Sequence, residues 1–105
     1  MVEAGFDVEL EGERGARLRG ELDVAAYDAA AAATAPLFEA AGDVTLDLSD
    51  LSFVDSSGIR LFIRLHKALD GRGELILRSP APHVAYILEI AGLPEIGIRL
   101  EKTAE

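Results

Sequence analysis

The sequence predicts an α/β fold, with a mixed, mostly parallel β-sheet of about five strands that is covered by helices. The chain has 105 residues, half of them hydrophobic, which is enough for one domain with one core. Segments with a two-residue apolar period alternate with helical segments in the order β-β-α-β-α-β-α-β. Strands that alternate with helices favour parallel pairing. We therefore expect a single domain over residues 1–105.

The first two strands are predicted to form an antiparallel hairpin. Phe6, Val8 and Leu10 alternate with acidic residues, which is typical of a strand with one buried face. A turn with two glycines follows over residues 11–15, and the alternation resumes over residues 16–22. This hairpin adds an antiparallel pair to the parallel strands, so the sheet should be mixed.

The first helix is predicted over residues 24–41, where alanine, the best helix former, dominates. Asp23 is a suitable cap at its start and Gly42 a stop signal at its end. Pro36 lies inside this segment, and a proline within a helix costs about 3 kcal/mol. We therefore expect either a kink or two short helices that meet near residues 34–36.

The second half of the chain is predicted to contain three more strands and two more helices. The strands are expected over residues 44–54, 74–78 and 96–100, and the last helix over residues 83–91. The other helix follows the sequence Asp-Ser-Ser-Gly at residues 55–58. Its predicted apolar face comprises Ile59, Phe62, Ile63 and His66, and a second face carries Arg60, Arg64 and Lys67. The inward residues of the last helix are predicted to be Val84, Ile87, Leu88 and Ala91.

Charge and composition exclude several classes of function. The net charge is −9, whereas a protein that binds nucleic acid or anionic membranes through charge needs the opposite sign. The chain has no cysteine, which excludes disulfides and thiolate metal sites. Residues 1–14 are acidic, unlike a signal peptide, and no apolar segment approaches the ~20 residues that span a bilayer. We expect a cytoplasmic protein that is a monomer or a weak dimer.

Motifs for catalysis and for cofactor binding are not recognisable. The two histidines, His66 and His83, do not form a paired metal-binding motif, and no phosphate-binding glycine loop is present. A triad of Ser56, His66 and Asp55 can be imagined, but the glycine-flanked serine elbow is absent. The sequence therefore predicts a protein that is not an enzyme and that binds no cofactor or metal itself.

The segment Asp55-Ser56-Ser57-Gly58 is the candidate functional site. It lies where an apolar strand gives way to an amphipathic helix, so a helix cap and a turn explain part of it. One cap does not require two adjacent hydroxyls in a chain with five serines. A phosphate on such a hydroxyl would be tolerated at the positive end of the helix dipole, and its charge could abolish docking to a partner.

Three separated motifs resemble those of STAS domains of the anti-sigma factor antagonist type. The most specific is residues 48–59, with the sequence LSDLSFVDSSGI. Residues 20–23, Gly-Glu-Leu-Asp, resemble the segment that follows the second strand in that family. Residues 82–93, which end in Ile-Ala-Gly-Leu, resemble the segment before the last strand. Together the motifs cover about residues 6–100 in the order that the family has them.

This resemblance implies a phosphorylation switch at Ser56, with Ser57 as the alternative acceptor. A partner that is both anti-sigma factor and serine kinase would bind the unphosphorylated form, and the sigma factor would then be released. Phosphorylation would end that binding, and a serine phosphatase would reset the switch. ATP and magnesium would belong to the kinase. Ser57 would be a neighbouring hydroxyl and a possible helix cap, and Asp55 would shape the loop. The implied switch and partner-binding residues are Asp23, Asp55, Ser56, Ser57, Gly58, Arg60 and Arg64.

Two questions stay open from the sequence. Arg60 stands where the family often has a small residue, and with Arg64 and Lys67 it forms a basic stripe. The stripe is either a solvated helix face, a contact for an acidic partner, or a support for phosphoserine. The second question is the setting, since a STAS domain can also be a subunit of a lipid-transport ABC system or of a larger signalling scaffold.

Overall fold

A computed structural model of the protein describes residues 5–103. The predicted domain, residues 1–105, includes residues 1–4 and 104–105, which lie outside the described residues. Residues 1–4 also belong to the acidic segment 1–14 noted above. The helices and strands are, in chain order, β1 (Phe6–Leu10), β2 (Gly15–Leu22), α1 (Tyr27–Thr34), a 3-10 helix (Ala35–Glu39), β3 (Val44–Val54), α2 (Ser56–Leu69), β4 (Leu75–Arg78), α3 (Pro82–Ile90), a second 3-10 helix (Pro94–Ile96) and β5 (Arg99–Glu101). Their order is the predicted one.

The five strands form one sheet in the order β1-β2-β3-β4-β5. β1 and β2 pair antiparallel, and the other three pairs are parallel. This confirms the predicted mixed, mostly parallel sheet with an N-terminal hairpin. β3 has two register shifts against β2, so its buried side chains do not alternate strictly beyond Leu48. At each shift β3 has one residue more than β2, which rotates the following residues of β3. As a result the side chains of Leu51 and Val54 point into the core.

The core lies between one face of the sheet and helices α1, α2 and α3. On α2 the centre of the inward face differs from the prediction: Phe62 is buried, whereas Ile59 and Ile63 are half-buried against the core, and His66 is half-buried. The buried positions follow the helical spacing i, i+3, i+4, i+7 and i+11 from Gly58 onwards. They are Gly58, Leu61, Phe62, Leu65 and Leu69. The start of α2 packs so closely on the sheet that it sets which face points inward.

The alanine-rich segment forms two short helices, as Pro36 predicted. α1 ends at Thr34, whose hydroxyl donates to the Ala30 carbonyl at 2.8 Å, and Pro36 lies in the first turn of the 3-10 helix. The predicted start at residue 24 was wrong, because a turn precedes α1. The carboxylate of Asp23 accepts a hydrogen bond from the Ala26 backbone at 3.0 Å within that turn.

The last strand is shorter than predicted. Ile96 belongs to a 3-10 helix and is 46% exposed, so its expected place in the strand was wrong. Gly97, at a φ of 103°, reverses the chain before Ile98 enters the core. The inward face of α3 also differs from the prediction, since Ile87 is half-buried and Ala91 exposed. The buried residues of α3 are Val84, Ala85 and Leu88.

The other face of the sheet carries rows of alternating charge. Glu9, Arg17, Asp47, Arg78 and Glu101 occupy one row across the five strands, because each is in register with the next. Nitrogen–oxygen distances within the row include 3.5 Å from Arg17 to Asp47 and 3.0 Å from Arg78 to Glu101. Exposed pairs of this kind contribute little stability individually. Within residues 5–103, no helix is long and apolar enough to cross a membrane.

Asp47 makes this face sensitive to pH. Burial raises its pKa, but hydrogen bonds from the backbone and hydroxyl of Ser49, with the charges of Arg17 and Arg78, outweigh burial and lower the pKa below its usual value. A carboxylate whose pKa is lowered by folding stabilises the folded state at pH values above its usual pKa of 3.8. This stabilisation is lost as the pH falls through the lower pKa that Asp47 has in the folded protein. Urea unfolding should therefore show Asp47→Asn less stable than the native chain at neutral pH, with the difference shrinking in acid. An equal difference at both pH values would contradict this.

Candidate functional site

The predicted site lies at the carboxyl ends of two neighbouring parallel strands. Leu22 at the end of β2 pairs with Val54 at the end of β3, and the Asp55 backbone donates to the Leu22 carbonyl at 3.3 Å. Asp23 and Asp55 therefore follow adjacent strands at one edge of the sheet. In open α/β sheets this edge is where ligands and partners usually bind.

Asp55 caps α2. Its backbone is extended, with φ −120° and ψ −166°, and its carboxylate accepts a hydrogen bond from the Ser57 backbone N–H at 2.8 Å. This satisfies one of the N–H groups that a helix start leaves without a partner. The expectation that Ser57 is the cap was therefore wrong, since Ser57 is the second residue of the helix and the donor in that hydrogen bond.

The two serines of the site lie in different environments. Ser56, the first residue of α2, is exposed, whereas Ser57 is only 7% exposed. Helical geometry rotates successive residues by about 100°, so one hydroxyl points to solvent while its neighbour turns towards the sheet. A macromolecular partner can therefore reach the Ser56 hydroxyl without any change in the fold.

Gly58 is required by packing, not by a turn as the sequence suggested. A Cβ atom at this position would lie 2.5 Å from Val54 Cγ2 and 2.8 Å from Leu22 Cγ. The absence of a side chain lets the first turn of α2 rest directly on the ends of β2 and β3. Gly58 therefore keeps Ser56 close to the sheet edge. The sequence alone does not show this role, because glycine next to serines also suggests a turn.

Arg60, Arg64 and Lys67 are exposed along α2, as predicted. Sequence reasoning missed their neighbour Tyr27, at the start of α1. The Arg64 guanidinium donates to the Tyr27 hydroxyl at 2.5 Å, and Arg60 lies over the Tyr27 ring, 5.0 Å from its centre. The hydrogen bond from Arg64, helped by Arg60, lowers the pKa of Tyr27 below its usual value. The only sequence signal was an aromatic residue at the edge of an alanine-rich segment.

Two exposed apolar side chains flank the site. Val24, 74% exposed, follows Asp23 after the end of β2, and Phe53, 43% exposed, lies two residues before Asp55 in β3. Isolated apolar side chains on a surface are ordinary, but each of these lies within two residues of an aspartate at the carboxyl ends of β2 and β3. Both are accessible to a partner that covers the ends of these two strands.

Within the part of the chain that the structure describes, no side chain hydrogen-bonds the Ser56 hydroxyl. No group of three histidine, cysteine or carboxylate side chains in residues 5–103 is arranged to hold a metal ion.

Two replacements of Asp55 distinguish its role as a helix cap from an effect of its negative charge. Asp55→Ala is expected to destabilise the protein by about 1 kcal/mol because the Ser57 N–H loses its acceptor. Asp55→Asn should cost clearly less, since asparagine caps as well as aspartate does. Urea unfolding of the two variants beside the native protein measures this. Equal losses in both variants would show that the carboxylate acts through its charge and not as a cap.

The model of the STAS domain family matches residues 7–105. The anti-sigma-B factor antagonist of Bacillus subtilis is 29% identical over 80 residues, which are 75% of this chain and 73% of that protein. BtrV of Bordetella bronchiseptica, whose name also refers to an anti-sigma factor antagonist, is 39% identical over 54 residues. That alignment covers 50% of this chain, and the chain thus spans about half of the length of BtrV, 47%.

Solved structures of the same kind share the fold. Unphosphorylated SpoIIAA, an anti-sigma factor antagonist, superimposes with a TM-score of 0.72 at 24% identity, over 95% of this chain and 89% of the other. The phosphorylated form of Bacillus SpoIIAA gives a TM-score of 0.65 at the same identity, over 95% and 92%. An anti-sigma factor antagonist from Mycobacterium paratuberculosis gives 0.73 at 20% identity, over 93% and 85%. With the family match over nearly its full length, this chain belongs to the STAS domain family.

Proposed function

We propose that this protein is an anti-sigma factor antagonist whose binding is switched off by phosphorylation of Ser56. The observation that carries the proposal is the exposed Ser56 hydroxyl at the start of α2, between the buried Ser57 and the capping Asp55. Two relatives carry the same functional name, and SpoIIAA, which shares the fold, has a phosphorylated form. In this proposal the unphosphorylated chain binds an anti-sigma factor, which then releases its sigma factor.

The anti-sigma factor is also the serine kinase in this proposal. The Ser56 Oγ–phosphorus bond forms as the bond from the γ-phosphorus of ATP to its bridging oxygen breaks, and ADP leaves. The hydroxyl proton passes to a base of the kinase, and the kinase holds ATP and Mg²⁺. A serine phosphatase hydrolyses the phosphoester and restores the hydroxyl. This chain supplies the acceptor and its position, and no catalytic group. The partners of this cycle are cytoplasmic, so we place the protein there.

Charge is the means by which phosphorylation ends binding. A phosphate adds about −1.5 to −2 charges at neutral pH. It would lie at the exposed start of α2, in the surface that the partner covers in this proposal, and at the strand ends that carry Asp23 and Asp55. Burying that charge against a partner without a matching cation is costly. Binding is therefore lost while the fold is kept, because Ser56 contributes nothing to the core.

Capture of partners from the source cell tests this proposal. Tagged native protein is expected to retain an ATP-binding anti-sigma factor, and addition of that protein's sigma factor should compete for it. The matched control is Ser56→Asp, which should retain much less. Recovery of a transporter ATPase in place of an anti-sigma factor would contradict the proposal and favour a role as a transport subunit.

A further inference from the structure

The basic stripe of α2 begins at the proposed phosphorylation site. Ser56, Arg60, Arg64 and Lys67 are all exposed and follow the spacing i, i+4, i+8 and i+11 along the helix. Side chains four residues apart are neighbours on a helix surface, and an anion placed N-terminal to a cation is the favourable orientation. The Ser56 hydroxyl therefore has Arg60 as its neighbour one turn further along α2.

Arg60, with Arg64 and Lys67 of the same helix, differs from the other cations that the structure describes in residues 5–103. Among residues 5–103, most arginine and lysine side chains are engaged by carboxylates or backbone carbonyls. These are Arg14, Arg17, Arg19, Arg72, Arg78, Arg99 and Lys102. Within those same residues Arg60 has neither kind of partner, and its recorded contact is the Tyr27 ring. No carboxylate therefore competes with an anion for the N–H donors of Arg60.

Tyr27 does not depend on Arg60 for its position. Arg64 donates independently to the Tyr27 hydroxyl at 2.5 Å, which ties α1 to α2 one turn below Arg60. If Arg60 left the ring, the hydrogen bond between Arg64 and Tyr27 would persist. The cation–π contact that Arg60 gives up is weak at an exposed site, and a phosphate dianion is a much stronger partner for a guanidinium.

We propose that Arg60 leaves the Tyr27 ring and binds the phosphate of phosphorylated Ser56, so that this chain carries its own phosphate-binding residue. The inference rests on the proposed phosphorylation of Ser56. Its consequence is that the phosphorylated form is a distinct local state, in which Arg60 partly neutralises the phosphate and Tyr27 loses its cation–π partner. Arg60 is a binding residue for the modified chain and takes no part in the phosphoryl transfer.

Other charged groups also face this site. The carboxylates of Asp55 and Asp23, at the ends of β3 and β2, repel the phosphate dianion. Arg64 and Lys67 attract it from two and three turns along α2. A test of Arg60 must therefore compare variants that change the charge of the stripe by the same amount at different distances from Ser56.

The test uses the full chain with phosphoserine incorporated at position 56 during translation, so that no kinase is needed. Phosphorus NMR then measures the second pKa of the phosphate, which is ordinarily near 6. Arg60→Gln is expected to raise this pKa by a few tenths of a pH unit, and Arg64→Gln by clearly less. Arg60→Lys should restore most of the native value. No change in Arg60→Gln, or equal changes in both glutamine variants, would overturn the proposal.

Tyrosine NMR supplies a second readout. The chain has two tyrosines, so Tyr86 on α3 is an internal control for Tyr27. Phosphoserine at position 56 should shift the ring signals of Tyr27 and leave those of Tyr86 unchanged. Unshifted Tyr27 signals would contradict the release of Arg60. Neither measurement depends on a partner, so failure of a kinase to modify Ser56 would count against the proposed function alone.

Discussion

Replacing Ser56 by Asp is expected to weaken binding to the anti-sigma factor about a hundredfold. The new carboxylate would lie at the exposed start of α2, in the contact area that the partner has to desolvate in the proposed complex. Like charges or unpaired charges at an interface cost several kcal/mol, and each 1.4 kcal/mol is about tenfold in affinity. Calorimetry or surface plasmon resonance with the purified partner measures the dissociation constant.

Two controls separate the charge from the hydroxyl. Ser56→Ala should bind as tightly as the native chain and should accept no phosphate, because the exposed hydroxyl is the only part removed. Ser57→Ala should be phosphorylated at the native rate, since Ser57 is 7% exposed and turned towards the sheet. Native-like binding by Ser56→Asp would show that the partner does not cover this position.

Replacing Gly58 by Val is expected to destabilise the protein by about 3 kcal/mol. The added Cβ would lie 2.5 Å from Val54 Cγ2 and 2.8 Å from Leu22 Cγ, both in the core at the sheet edge. Overpacking costs about 1–3 kcal/mol, and a β-branched residue brings two further atoms into the same space. A loss of this size is a large part of the roughly 5–15 kcal/mol that stabilises a domain.

The matched control for Gly58→Val is Lys67→Val in the same helix. Lys67 is exposed, so the same new side chain should change the free energy of unfolding by less than about 0.5 kcal/mol. Urea unfolding followed by circular dichroism measures both variants. A small loss in Gly58→Val would mean that α2 can move away from Leu22 and Val54, and that close packing does not position Ser56.

Local periodicity predicted β2 and β3 because each of these strands buries one face. The alternation over residues 44–48 is visible in the sequence and in the burial of β3 alike. The break after α1 was predictable because Pro36 lacks the backbone N–H that a continuous helix needs, whatever the rest of the fold is. The prediction of a strand at Ile96 was wrong because Gly97 turns the chain there. The short alternating pattern over residues 96–100 does not reveal this turn.

The site was located by its motif, but its geometry depends on contacts between distant segments. Which serine is exposed depends on how α2 packs against β2 and β3, and Gly58 sets that packing through Leu22, 36 residues earlier in the chain. The partnership of Tyr27 with Arg60 and Arg64 likewise joins separate helices. Such contacts leave no periodic signal in one sequence, so only the structure reveals them.

The central claim is that the exposed hydroxyl of Ser56 accepts the phosphate. Incubation of the native chain with its cognate kinase and ATP, followed by mass spectrometric mapping of the modified residue, tests it most directly. The account predicts one phosphate, located on Ser56, and none on the Ser56→Ala variant. A phosphate on Ser57 or elsewhere in the native chain, with Ser56 unmodified, would contradict it.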